Sequence, residues 1–385
     1  MTISVLEDRP LLKYNGDYYV MNYSDFIKYG EVCDHLIYLA SAENVDDERK
    51  IANMKSSRDF PHVTIMEVIK SPLKELIHFS SFNKKQCIEA INHSDLVIIK
   101  IPSITIGKWA YNYLKKTDKK FILEVIGCAW DSFWNHSLKG KLIAPYSFYY
   151  TKKMVRNAPY VVYVSNVFLE NRYPTKGKWI GCSNVLLQEP DSSVLEARLK
   201  KIEDSDLSKA IKIGTVGAIS SKYKGHKYVI KAICRLNKEG YNFHYYLAGG
   251  GENIKLKKLV KSLDLENNVH FLGAVPRQEM ASYYRDLDIY IHPSFAEGLP
   301  RVVLEAESHA LPVCGARAAG TPELLDTQFV FKKKNVEEIQ RVLKVFNKEV
   351  MKDQAAKNFE RTFLYTFDKL SERRKKFYDE VLNNK

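Results

Sequence analysis

Ser294-Phe295-Ala296-Glu297-Gly298-Leu299-Pro300-Arg301-Val302-Val303-Leu304-Glu305-Ala306 sets two carboxylates around a Gly-Leu-Pro turn. The apolar run before it, 288–292, reads as a buried strand, and the run after it as an apolar helix. Strand, turn and helix in that order are the repeating unit of a doubly wound α/β sheet. The turn creates a helix N-terminus, where free backbone N–H groups carry about half a positive charge. Pro300 suits the first helical turn because its missing N–H would go unused there. Such an end holds phosphate. A carboxylate on each side of a phosphate site suits a ligand with hydroxyls at both ends, and a nucleotide-sugar has that form: sugar, diphosphate, ribose. The plain alternative is an ordinary strand-turn-helix with a solvated Glu297.

Working outward, the same rhythm fills the chain. Short β-rich apolar runs alternate with amphipathic segments, which signals parallel sheets with crossover helices. The first half has strand candidates at 35–40, 62–67, 96–101, 121–126 and 160–165. A polar stretch, 188–208, interrupts them. The second half has candidates at 211–217, 243–248, 269–273, 288–292, 312–315 and 329–331. Near-continuous apolar strands mean sheets covered on both faces, and ligands of such sheets sit at the carboxyl ends of the strands. Helical spacing appears at Val229, Ala232, Ile233 and Leu236, and again at Ile339, Val342 and Val345. The segment 358–382 is charged and amphipathic.

A chain of 385 residues has room for two domains, each with its own core. Its 45% apolar and 27% charged residues are those of a globular protein. Residues 1–12 carry Glu7, Asp8 and Arg9 without an apolar core segment, unlike a signal peptide. No apolar run is long enough to span a bilayer. Six scattered Cys without a C-x-x-C pair read as thiols in a reducing compartment. A net charge of +13 favours an anionic partner: phosphates, an acidic membrane face or nucleic acid. No nucleic-acid motif accompanies it. The stretch Ala144-Pro145-Tyr146-Ser147-Phe148-Tyr149-Tyr150-Thr151-Lys152-Lys153 mixes aromatics with cations, as a membrane-interface helix does, although a core helix would serve equally. These features predict a cytoplasmic protein with peripheral contact on the inner face of the cytoplasmic membrane.

Glu297 and Glu305, with Asp288-Ile289-Tyr290-Ile291-His292-Pro293-Ser294 before them and Leu311-Pro312-Val313 and Gly320-Thr321-Pro322-Glu323 after, resemble the E-x7-E signature of family 4 retaining glycosyltransferases, of bacterial surface-polysaccharide type. The resemblance implies the GT-B fold: two Rossmann-like doubly wound α/β domains facing across a cleft. It places an acceptor-side domain at 1–187, a nucleotide-sugar-binding domain at 188–357 and a final helix, 358–385, crossing back to the first domain. It further implies that Glu297 contacts the transferred sugar, that Glu305 binds ribose hydroxyls, and that Gly298, Leu299, Pro300, Arg301 and Val302 line the donor site.

The family's diphosphate clamp also uses a Gly-Arg after the domain's first strand and a Lys-Gly further on. Gly217-Ala218-Ile219-Ser220-Ser221-Lys222-Tyr223-Lys224-Gly225 matches at Gly217 and at Lys224-Gly225, but Ala218 stands where the Arg would be. Lys222, Ser220 or Arg301 could substitute. A Lys in a first helical turn is electrostatically poor unless an anion sits there. Gly249, in Gly249-Gly250-Gly251, resembles the family's strand-end glycine turn. The segment from His270 to Val275 resembles the part that cradles the base, with Val275 as the contact. Asp286-Leu287-Asp288 spells a D-x-D, yet Asp288 matches a structural Asp of the family, so no metal and no cofactor is expected. In the first domain a sugar-facing His should follow a strand. No His does so directly in Glu124-Val125-Ile126-Gly127-Cys128-Ala129-Trp130-Asp131-Ser132-Phe133-Trp134-Asn135-His136, which leaves Asp131 and His136 as candidates beside a plain loop held by its Trp pair. The glycine-rich loop expected after the first strand is also missing; Lys13-Tyr14-Asn15-Gly16-Asp17-Tyr18-Tyr19 stands there instead.

The resemblance therefore implies a retaining hexosyltransferase that moves a sugar from a nucleoside diphosphate sugar to a glycan or lipid-linked acceptor. Two other classes stay open: another GT-B enzyme, such as a nucleotide-sugar epimerase or a phosphorylase, and a basic nucleic-acid-binding protein without catalysis. Donor sugar, base, acceptor, linkage and oligomeric state are not encoded in any motif found.

Overall fold

The computed structural model describes residues 1–20, 23–51, 54–69, 79–135 and 137–384. These divide into two units, Met1–Asn184 with Asp368–Lys385, and Val185–Phe367. The divisions fall after 184 and 367, where the sequence suggested 187 and 357. Two local causes account for the shift. Leu187 bridges Thr366 and its carbonyl accepts from the Phe367 amide at 2.7 Å, which keeps it with the second unit; the polar stretch 188–208 then contains helix Ser192–Asp204, whose buried Arg198 donates to the carbonyls of Leu287 and Tyr284. Helix Lys348–Thr362 carries the second unit past 357, with Gln354 and Asn358 bonding the backbone of Val313 and Leu311.

In the first unit the parallel strands run, in spatial order, Lys178–Gly181, Tyr160–Tyr163, Phe121–Val125, Leu96–Ile101, Thr2–Leu6, His35–Asn44 and Val63–Val68. Leu96–Ile101 and Phe121–Val125 are buried at every residue, as strands covered on both faces must be. The central strand Thr2–Leu6 is not among the strand candidates; it breaks off at the charged Glu7-Asp8-Arg9 and has no preceding helix to mark it as part of the alternation. The segment 13–19 is not a loop. Leu11–Tyr14 and Asp17–Val20 pair antiparallel around Asn15-Gly16, both with positive φ (48° and 85°), the conformation an Asn-Gly hairpin turn requires. Helix Phe367–Asn383 belongs to this unit: Leu370, Phe377, Tyr378 and Val381 are buried in it, and Arg374 donates to the Ser183 carbonyl.

The second unit has six parallel strands in the order Val269–Gly273, Phe243–Ala248, Ile211–Val216, Ile289–His292, Val313–Ala316 and Val330–Phe331. Numbered along the unit this is 3-2-1-4-5-6, the Rossmann order. The direction of winding reverses between Ile211–Val216 and Ile289–His292. The crevice beyond the carboxyl ends of those two strands is where such a sheet binds ligands.

Candidate functional site

Both strands at this switch point end in the segments singled out above. Ile211–Val216 runs into Gly217, and Ile289–His292 runs into the stretch containing Glu297. The two loops are tied together, since the Phe295 amide donates to the Tyr223 carbonyl at 2.8 Å. Gly225 has φ +77°, and a Cβ there would lie 2.2 Å from the Pro293 carbonyl oxygen, so only glycine permits this approach. Gly249 is similarly forced: its Cβ would meet the Gly217 carbonyl at 2.0 Å. The turns at 217, 249 and 273 are laced by main-chain bonds, from Gly217 to Ala248, from Gly249 to Gly273 and from Ile219 to Gly250. Val275 follows that third turn and is half-buried at the same sheet edge.

Glu297 and Lys224 meet here. The Lys224 ammonium donates to a Glu297 carboxylate oxygen at 2.7 Å, with side-chain exposures of 14% and 20%. Burial pushes the Glu297 carboxyl up, but Lys224 and the neighbouring His292 outweigh it and hold the carboxyl well below the usual carboxylate range. His292 lies 3.6 Å from the same oxygen and is fully buried, which keeps its imidazole below its ordinary value. His226 opens helix His226–Lys238, and burial, with Lys224 nearby, pushes it down to about 4. One ammonium, one carboxylate and two imidazoles shifted toward the neutral form thus lie together at the ends of these strands.

Beyond Glu297 comes helix Arg301–Ser308. Pro300 is its N-cap residue rather than part of its first turn, because its ψ of 103° is extended. The Pro300 carbonyl still accepts from Val303 at 3.1 Å. The buried Leu299 anchors the turn, and Gly298 accepts from the Gly320 amide. Arg301 and Val302 are half-buried at the helix start. Glu305, one turn on, accepts from the Tyr284 hydroxyl at 3.2 Å. Glu297, Lys224, Gly298, Leu299, Pro300, Arg301, Val302, Glu305, Gly217, Gly249 and Val275 therefore all lie on the carboxyl edge of one sheet. Ala218, at the missing Arg position, is exposed, as is Lys222. His292 and Tyr284 touch the two carboxylates and were not selected from sequence. His292 sits inside an apolar strand run and Tyr284 in an ordinary helix, so neither carried a signal of its own.

Asp286 and Asp288 are occupied by lysines. Lys212 bonds both oxygens of Asp286 at 3.0 and 3.1 Å, and Lys201 lies 3.0 Å from Asp288, which also accepts from the Lys212 amide. In the first unit, Asp131 lies half-exposed in the first turn of helix Ala129–Trp134, where Trp130 and Trp134 stack 5.0 Å apart. The segment is thus a short helix rather than a loop. His136 lies outside the described residues.

The family described as Glycosyl transferases group 1 matches residues 198–361, nearly the whole second unit. Protein CapJ of Staphylococcus aureus is 31% identical over 398 aligned positions, covering all of this chain and 97% of that one. The amylovoran biosynthesis glycosyltransferase AmsK of Erwinia amylovora is 32% identical over 133 residues, about a third of each chain. Among solved structures, HepE of Anabaena in complex with UDP-glucose superposes with a TM-score of 0.66 at 16% identity, over 99% of this chain and all of that one. The chain belongs to the glycosyl transferases group 1 family, and its fold is GT-B.

Proposed function

We propose that this glycosyltransferase retains anomeric configuration and moves a hexose from a nucleoside diphosphate sugar to a hydroxyl of a glycan or lipid-linked acceptor, in cell-surface polysaccharide synthesis at the inner face of the cytoplasmic membrane. The observation that carries the donor half is the Lys224–Glu297 pair at the switch point, directly before a helix N-terminus. A diphosphate there would take Lys224 as its cation and the amides opening helix Arg301–Ser308 as further donors. Glu297 would then face the sugar, and Glu305, steadied by Tyr284, the ribose. HepE is known in complex with UDP-glucose, which supports a nucleotide-sugar donor. AmsK, a relative over part of the chain, serves in amylovoran biosynthesis, which supports a polysaccharide product.

The chemistry asks mainly for stabilisation of a leaving diphosphate and of an oxocarbenium-like sugar. The leaving phosphate itself takes the acceptor's proton, which accounts for the absence of a dedicated base among these residues. No metal is needed in this reading, because Lys224 and the helix end supply the positive charge and because Asp286 and Asp288 are held by Lys212 and Lys201.

A donor screen that follows nucleoside diphosphate release tests the reading. Glu297→Gln should keep its circular dichroism and lose most transfer. Transfer within about a factor of two of the parent would overturn the assignment. Turnover should persist in EDTA; a loss reversed by magnesium or manganese would overturn the metal-free clamp.

A further inference from the structure

Helix Leu138–Asn157 of the first unit turns one stripe inward, including Gly140, Ala144, Ser147, Thr151 and Met154. Over its first three turns, its outward stripe carries large apolar side chains where a surface helix is expected to be polar. Leu138 and Leu142 are 81% and 83% exposed, and Tyr149 and Tyr146 are 66% and 44% exposed. At 3.6 residues per turn, Leu138, Leu142 and Tyr149 fall within a sector of about 40°. Trp134, one turn ahead of the helix, adds a ring that is 40% exposed.

Along helix Leu138–Asn157 itself the charges have one sign; Asp131 sits on the preceding helix, Ala129–Trp134. From 132 to 169 the sequence contains no Asp and no Glu, and Lys139, Lys141, Lys152, Lys153 and Arg156 are all exposed. The neighbouring helix Ile106–Leu114 contributes Lys108, which bonds the Tyr146 hydroxyl at 2.8 Å and lies over the Tyr146 and Tyr150 rings. Isolated exposed leucines are common on protein surfaces, but a row of apolar side chains among the exposed cations of this helix fits one occupant best.

We infer that this face of helix Leu138–Asn157 docks on an anionic lipid surface, its leucines and aromatics entering the headgroup boundary and its lysines meeting lipid phosphates. A second copy of the chain is disfavoured, since two such faces would bring like charges together. The inference deepens the membrane-side function proposed above by naming the surface and its partner. It extends the contact from the aromatic-cationic segment 144–153 back to a stripe that begins at Leu138.

Sedimentation of the full chain with vesicles tests it without reference to catalysis. Binding should be strong to phosphatidylcholine mixed with phosphatidylglycerol, weak to phosphatidylcholine alone, and reduced by high salt. The pair Leu138→Ser and Leu142→Ser should weaken binding by about tenfold or more, and Lys152→Glu with Lys153→Glu likewise, with circular dichroism unchanged. Variants that sediment like the parent would overturn the inference. So would a dimer in ultracentrifugation that Leu142→Ser dissociates while vesicles go unbound. Vesicle binding by a chain that transfers no sugar would leave the surface standing and overturn only the proposed activity.

Discussion

In the donor site proposed above, Lys224 and Glu297 are paired with each other. A lysine just ahead of the N-terminus of helix His226–Lys238 works against the helix dipole, and Glu297 offsets that charge. A second carboxylate in the same unit behaves oppositely. Glu307 is fully buried, with Arg361 on one oxygen at 2.6 Å and no donor on the other. Burial pushes its carboxyl up to about 8, against the opposing pull of Arg361. The folded chain therefore keeps a proton that the unfolded chain releases near its ordinary value of 4.5. Stability from this group is complete below that ordinary value and is lost as pH rises through the folded one. Between about pH 5 and pH 8 the parent's melting temperature should fall, by the equivalent of on the order of 3 kcal/mol, and Glu307→Gln should remove that slope. Identical slopes in the two proteins would refute it. Glu307 lies two positions beyond the motif, and its burial has no mark in the sequence. Two positions along the helix separate Glu305, which meets the Tyr284 hydroxyl, from Glu307, which is fully buried.

At the scale of elements, the parallel strands were legible because continuous apolar runs can only be buried on both faces. The charges inside those runs were not. Lys100 and Glu124 sit in fully buried strands of the first unit. Lys100 meets Glu7 at 3.0 Å and also Asp25, while Lys28 meets Asp25 at 2.9 Å and Glu124 at 2.7 Å. Burial opposes both charges, but Lys100 and Lys28 draw the Asp25 carboxyl down, and Asp25 and Glu7 draw the Lys100 ammonium up. Removing one member leaves the others charged and desolvated. Lys100→Met should cost about 3–5 kcal/mol in denaturant unfolding of the first unit. A loss under about 1 kcal/mol would show that the network does not need its lysine. Partners separated by up to 96 positions, such as Lys28 and Glu124, leave no mark in local spacing. The Asn15-Gly16 hairpin was the opposite case: its turn signal was present in the sequence and the expected glycine-rich loop masked it.

At the scale of the whole molecule, the two units are not two continuous halves of the chain. The last helix returns to the first unit, where Leu370, Phe377, Tyr378 and Val381 are buried. Four such side chains contribute about 1.5–3 kcal/mol each, which together rivals the stability of a domain, about 5–15 kcal/mol. A chain ending at 367 should keep a melting transition for the second unit and lose that of the first, read by calorimetry. Two transitions at parent temperatures would refute this.

What the sequence determined by itself is local: alternating strands and helices, a Gly-Leu-Pro turn between two glutamates, a Lys-Gly pair before a helix, and an excess of positive charge. Each depends on neighbours within one or two turns, where spacing and side-chain type are enough. Only the tertiary structure decided which strand lies at the centre of each sheet, which loops meet at the switch point, that His292 and Tyr284 back the two carboxylates, and that Leu138, Leu142 and Tyr149 share one exposed stripe of helix Leu138–Asn157. Those outcomes depend on burial and on pairings between distant segments. Burial pushes both Glu297 and Glu307 up, but only Glu297 has partners, Lys224 and His292, that outweigh it, so the two end in opposite directions.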